Sequence, residues 1–151
     1  MKNFFEILSQ CPLFDGIDQS DLNSMIACLD GKTTDVPKGT PVFLEGTPAR
    51  FVGVVLSGTV QVVREDYYGN RSIMTILQPG ELFAEVFSFA GLETMPVSDI
   101  AIKDSEVLLL DCRRVLTSCS NSCHFHSLLM KNLLQEMAQK NLALSQKIRY
   151  M

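Results

Sequence analysis

The sequence predicts a mostly β domain, an antiparallel barrel or sandwich with helices at both ends, and three observations carry that prediction. From Lys32 onward, short β-rich runs are cut by turn residues every 10–12 positions: Lys38-Gly39, Glu45-Gly46, Ser57-Gly58, Tyr68-Gly69-Asn70 and Pro79-Gly80. Within one run, Val60, Val62 and Arg64 alternate with Gln61, Val63 and Glu65, the period of a partly exposed strand. The last 28 residues hold neither glycine nor proline, so the chain closes on a long helix.

The first thirty residues read as short helices. Asp18 is a suitable N-cap and Asp21 lies in the following first turn, where the helix dipole favours a carboxylate. Leu22, Met25, Ile26 and Leu29 recur at three- and four-residue spacing to give one apolar face, and Gly31 is placed to end the helix. After the turn-punctuated runs, "VSDIAI" and "SEVLLLDC" supply two further strands. A short helix is expected between strands, within "GELFAEVF". No internal repeat or low-complexity linker interrupts the pattern.

In the final segment Met130, Leu134, Met137, Asn141, Leu144, Ile148 and Met151 fall at alternating spacings of four and three, a heptad seam. Asn141 within it would fix register at some cost in stability. A second stripe, Phe125, Leu129, Leu133 and Leu142, is expected to pack back on the barrel. Two apolar faces need two partners: the helix's own domain and a second copy of the chain. The other reading is a single wide core stripe.

At 151 residues and 46% apolar the chain is enough for one compact domain with a real core. The net charge of −4 advertises neither nucleic acid nor membrane as a partner of the bulk surface. Residues 1–123 hold 9 basic and 16 acidic side chains, whereas the tail holds Lys131, Lys140, Lys147 and Arg149 against Glu136. No apolar run reaches transmembrane length, and the start lacks the small-residue cleavage site of a signal peptide. Five irregularly spaced cysteines fit reduced thiols in a cytoplasm rather than a disulfide framework.

The segments "CPLFDGIDQSDL", "LEGTPARFVGVVLSGTVQV", "ILQPGELFAEVFSF" and "LLQEMAQKNLALSQKI", in that order, resemble the cyclic-nucleotide-binding fold of the Crp–Fnr superfamily of bacterial transcription regulators. The resemblance runs from Cys11 to the end. It implies a double-stranded β-helix (jelly-roll) sensor barrel over residues 1–123. Residues 124–151 would form a dimerisation helix leading to a helix-turn-helix domain that lies outside this chain. DNA would be bound through that domain alone.

In nucleotide-binding members a Gly-Glu pair opens a short helix and an Arg-Ser or Arg-Thr pair follows it. Backbone N–H groups and the arginine hold the cyclic phosphate, and the glutamate accepts the ribose hydroxyl. Aligned on "PGELFAEV", the glycine position is Ala84, the glutamate Glu85, the arginine Val97 and the hydroxyl Ser98, over a loop longer than usual. Losing the charge-assisted bond removes about 1.5–3 kcal/mol, so a cyclic nucleotide is disfavoured. The resemblance marks Phe83, Ala84, Glu85, Val86, Val97 and Ser98 as cassette positions facing an effector. Lys140, Asn141, Leu144 and Ser145 face it from the long helix. Phe87, Phe89, Leu92 and Met95 add to an apolar lining that suits a small apolar or weakly acidic effector. The alternative is that these side chains fill the barrel mouth.

No cofactor is expected. Cys119, Cys123, His124 and His126 lie within eight residues, but their spacing matches no familiar ligand pattern. Iron–sulfur relatives use an N-terminal cysteine cluster, and here that end offers Cys11 alone. A thiol switch through Cys11 or Cys28 is a minor alternative. An enzyme is not expected: both histidines fall outside the barrel, and no serine has an activating base. Glu81 and Glu85, spaced i, i+4, read as helix-capping or solvated carboxylates. The competing functional class is a stand-alone ligand-binding module without a DNA-binding domain, which the codons after Met151 would settle.

Overall fold

The computed structural model describes residues 5–116 and 124–149. Two short helices, α1 (Phe5–Ser9) and α2 (Gln19–Cys28), flank a 3-10 turn at Pro12–Phe14. Eight strands follow: β1 (Lys32–Val36), β2 (Pro41–Phe43), β3 (Phe51–Ser57), β4 (Val60–Glu65), β5 (Arg71–Leu77), β6 (Leu82–Phe83), β7 (Ser98–Ala101) and β8 (Ser105–Asp111). Helix α3 (Glu85–Phe89) lies between β6 and β7, α4 (Cys112–Leu116) follows β8, and α5 (His124–Arg149) ends the described chain. The strands form two antiparallel four-stranded sheets, β1-β8-β3-β6 and β2-β7-β4-β5. That order is a jelly roll, the fold class the sequence predicts.

The two faces of the first sheet have different neighbours, and period-2 alternation explains how one strand serves both. In β3, Val52, Val54 and Leu56 face the helices, where they join Leu13, Phe14, Met25, Leu29, Leu129 and Leu133 in one buried cluster. Val55 faces inward, joining Val60, Leu77, Phe83, Met95, Val97, Ala101 and Val107 between the sheets. The second sheet has one covered face, and its edge strand β5 is exposed from Arg71 to Ile76. In β4 alternation fails at a register shift between Val62 and Val63, where two consecutive valines are both buried. A bulge turns the side chains after it, so Arg64 reaches solvent.

Two helix expectations need correction. Asp18 takes the extended N-cap conformation but its side chain makes no cap hydrogen bond. At the other end Asp30, not Gly31, adopts the left-handed conformation, with φ of 55°. Gly31 N–H donates to Ile26 C=O at 2.8 Å and Asp30 N–H to Ala27 C=O at 3.2 Å, the paired bonds of a Schellman cap. Gly31 is needed for space instead, since a Cβ there would lie 2.7 Å from Ile26 Cγ2 and 3.1 Å from Leu110.

Helix α5 packs on the 3-10 turn and α2 through Leu129 and Leu133, as the second stripe predicts. Asn132, buried between them, donates to the carbonyls of Leu13 and Asp15 at 3.0 and 2.8 Å. Leu142 does not belong to that stripe and is 58% exposed. Nine residues beyond Leu133, at about 100° per residue, it has rotated to the opposite side of the helix. Of the predicted seam, Leu134 is 66% exposed and Asn141 is exposed, while Met130 and Met137 are half-buried against the chain's own core. The side chains of Leu144 and Ile148 lie outside the described residues.

Candidate functional site

The turn at Pro79-Gly80 delivers β6 to the edge of β3. Gly80 N–H donates to Val55 C=O at 2.8 Å, and β6 then pairs Leu82 with Val54 and Phe83 with Gly53. Gly53 has no side chain because the Phe83 ring occupies that space: a Cβ would lie 2.3 Å from its Cζ. Phe83, expected to face an effector, is packed between the sheets beside Phe43, with ring centroids 5.9 Å apart. Leu82 points the other way, toward α5.

Ala84 forms the joint between strand and helix at φ of 69°, a left-handed conformation that costs an L-residue with a Cβ about 1–2 kcal/mol. It is the cassette position where the family pattern has glycine, the residue that takes this conformation without a Cβ penalty. Helix α3 starts at Glu85, with Ser88 N–H donating to Ala84 C=O at 3.1 Å. Ser88 Oγ donates to Phe51 C=O at 2.8 Å and fixes the helix on β3. The following loop is tied to residues 46–49 by Met95 N–H to Thr47 C=O at 2.8 Å and Ala49 N–H to Glu93 C=O at 3.2 Å. Val97 is 2% exposed within the inter-sheet core, and Ser98 Oγ accepts from Glu45 N–H at 2.8 Å. So Val97 and Ser98 are spent on packing and loop closure, and the cassette side chains Phe83, Met95 and Val97 belong to the core between the sheets.

Glu85 is 1% exposed, not solvated as a surface i, i+4 pair with Glu81 would be. Its carboxylate accepts a hydrogen bond from Lys140 Nζ of α5. Lys140 also pairs with Glu136, one turn back, at 3.0 Å. Burial raises the Glu85 carboxyl more than Lys140 lowers it. Burial acts to lower the Lys140 ammonium, but Glu85 and Glu136 outweigh it and hold it above its ordinary value, fully charged near neutral pH. Lys140 and Glu85, both singled out in the sequence, are thus brought together. Asn141 is exposed, and the side chains of Val86, Leu144 and Ser145 lie outside the described residues.

The sequence reading passed over Glu136 and Asp99. Leu129, Asn132, Leu133, Glu136 and Lys140 recur at three- and four-residue spacing and form the inner face of α5. That face changes from apolar to charged toward Lys140, which meets Glu85 of α3. Glu136 is 8% exposed, and its Oε2 has no hydrogen-bond partner. A cleft of about 400 Å³ opens between this part of α5 and the β5–β6 corner, lined by Thr75, Leu77, Gly80, Leu82, Glu136 and Lys140. A second, of about 360 Å³, lies across Glu136 and is lined by Gln10, Asn132, Gln135 and Gln139. Asp99 on β7 is 2% exposed with Oδ2 unpartnered, and burial together with the Glu85 charge pushes its carboxyl up to about 7. Its signal in the sequence was a charge on the apolar side of "VSDIA".

Other candidates recede. Arg50 pairs with Asp111 at 3.3 Å and does not stand in for the missing cassette arginine. Cys11 is fully buried and burial pushes its thiol up to about 12, which removes it as a redox switch. The described residues contain no cluster able to hold a metal ion, and Cys119 and Cys123 lie outside them. No described helix is long and apolar enough to cross a membrane.

The chain thus sets a β6–α3–β7 cassette in an eight-stranded jelly roll with a long helix packed against it. The cyclic nucleotide-binding domain model matches residues 33–122, and the chain belongs to that family. It is 31% identical over 84 residues to a CRP-like cAMP-activated global transcriptional regulator of Mycobacterium tuberculosis, a match covering 56% of this chain and 37% of that one. The chain therefore spans less than half the length of that curated relative. Its fold is similar to the Thermus thermophilus catabolite activator protein (TM-score 0.76, 24% identity, 92% of this chain and 62% of that one). It is also similar to the sensor domain of the transcriptional regulator DNR from Pseudomonas aeruginosa (TM-score 0.75, 21% identity, 97% of this chain and 91% of that one).

Proposed function

We propose that the chain is the effector-sensing and dimerising part of a Crp–Fnr-type transcription regulator, controlled by a small molecule other than cyclic AMP. Residues 1–123 sense, residues 124–151 dimerise, and DNA binding belongs to a domain beyond α5. The chain catalyses no reaction and works in the cytoplasm as a homodimer. One observation carries this reading: α3 and α5 are joined by Glu85 and Lys140, so an occupant of the cassette must act on the helix that carries the seam. Effector binding would shift the balance between arrangements of two long helices and of the domains they carry.

The lost phosphate chemistry supports an effector other than cyclic AMP. Val97 sits where arginine is required and is packed in the core. The seam of Met130, Leu134, Met137, Asn141, Leu144 and Ile148 is tested by sedimentation: the wild type runs as a dimer and Leu134→Asp as a folded monomer. A wild-type monomer, or a dimer untouched by aspartate at Leu134 and at Leu144, would sink the assignment.

A further inference from the structure

Between Gly80 and Ile102 the chain carries four acidic side chains, Glu81, Glu85, Glu93 and Asp99, and no lysine or arginine. That is the reverse of what an anion site needs, because desolvated carboxylates repel a bound phosphate or carboxylate. Glu85 and Asp99 are inside, at 1% and 2% exposure. Their partners differ. Glu85 holds Lys140. Asp99 alternates with Val97, just before β7, and with Ala101 on it, both members of the inter-sheet core, so its side chain is aimed into the barrel. There its Oδ2 makes no hydrogen bond, and the Glu85 charge acts on it. Among the described residues Lys140 supplies ammonium to both Glu85 and Glu136, and no ion pair reaches Asp99.

We propose that the cassette takes a small molecule bearing a protonated amine or guanidinium and no anionic group, its N–H donors bonding Asp99 Oδ2 and Glu85. The inference rests on the sensing reading above and gives it a ligand class. It also turns away from the weakly acidic effector that the apolar lining had suggested. A buried acceptor with no donor is what such a ligand satisfies. The neighbouring Phe43, Phe83 and Met95 suit a cation carried on a compact apolar body, and the unbranched Met95 side chain is the one best able to yield to it. On binding, the ligand competes with Lys140 for Glu85, so filling the site loosens the contact between α3 and α5.

The test is calorimetric titration of the 151-residue chain. The probes are phenethylamine and agmatine as cations, 3-phenylpropionate as the carboxylate counterpart of the first, and cyclic AMP. At least one cation binds tenfold or more tightly than 3-phenylpropionate and cyclic AMP. Asp99→Asn, which keeps the side-chain shape, weakens that cation tenfold or more. Asp99→Ser is the second variant, and circular dichroism establishes that both are folded. An acid or nucleotide that binds as tightly as the cations, cation affinity that survives both substitutions, or no cation binding overturns the proposal. The sensing reading fails separately: a broad metabolite screen would then give no ligand whose affinity depends on Glu85. Anionic hits that do depend on Glu85 would remove the ligand class and leave the sensing reading standing.

Discussion

Replacing Asp99 by asparagine exchanges a buried ionisable group for a neutral one of nearly the same shape. In the folded chain the Asp99 carboxyl is pushed up to about 7 from an ordinary 3.8, first by burial and then by the Glu85 charge. Between these values the folded state keeps a proton that the unfolded state has released. Stability therefore falls as pH rises through the window, by about 1.4 kcal/mol per pH unit and about 4 kcal/mol in all. Above pH 7 the group is ionised in both states and the loss levels off. Asparagine has nothing to titrate. Urea unfolding of both proteins at pH 5, 6, 7 and 8 is the assay. The stability of Asp99→Asn relative to wild type should climb by about 2–3 kcal/mol from pH 5 to 7 and change little from 7 to 8. A difference that stays constant across the four values would show that Asp99 is hydrated or paired in solution. It would also remove the unpartnered acceptor on which the cationic ligand class depends.

Three further substitutions test the geometry of the cassette by the same unfolding measurement. Ala84→Gly relieves the left-handed joint at φ of 69° and raises stability by about 1 kcal/mol; a loss would mean the joint is unstrained. Gly53→Ala places a Cβ 2.3 Å from the Phe83 ring and lowers stability by about 1–3 kcal/mol, whereas a neutral result would show that the ring does not cover β3. Lys140→Ala leaves Glu85 buried without its cation and costs about 1–3 kcal/mol, less than for a fully buried pair because the Lys140 side chain is 46% exposed. Adding Glu85→Gln to that variant recovers part of the loss, and no recovery would mean the pair is not formed.

The barrel was legible because turns and strands leave local signatures. The five glycine-containing turns read from the sequence all have their glycine at positive φ, from 82° at Gly69 to 91° at Gly80, and the runs between them became strands. The short helix expected within "GELFAEVF" is present, with Ala84 and Glu85 at the joint between β6 and α3. What its side chains do was not legible, because that depends on contacts distant in sequence. Phe83 looked available to a ligand until Gly53, thirty residues earlier, was seen beneath its ring. Lys140 was placed toward the effector, and the structure pairs it with the Glu85 carboxylate, a contact the sequence does not announce. The heptad pattern drew attention to the apolar seam of α5 and away from the neighbouring stripe where Asn132 and Glu136 are buried. A hydrophobic period does not register polar residues on a buried face, so the side of α5 that meets the cassette was the side left unread.

The most direct test of the central claim, that this chain has the family's fold without its phosphate chemistry, is a calorimetric titration of the chain with cyclic AMP. With Val97 in the core and Glu85 committed to Lys140, no micromolar binding is predicted. Micromolar binding that Glu85→Ala abolishes would contradict it.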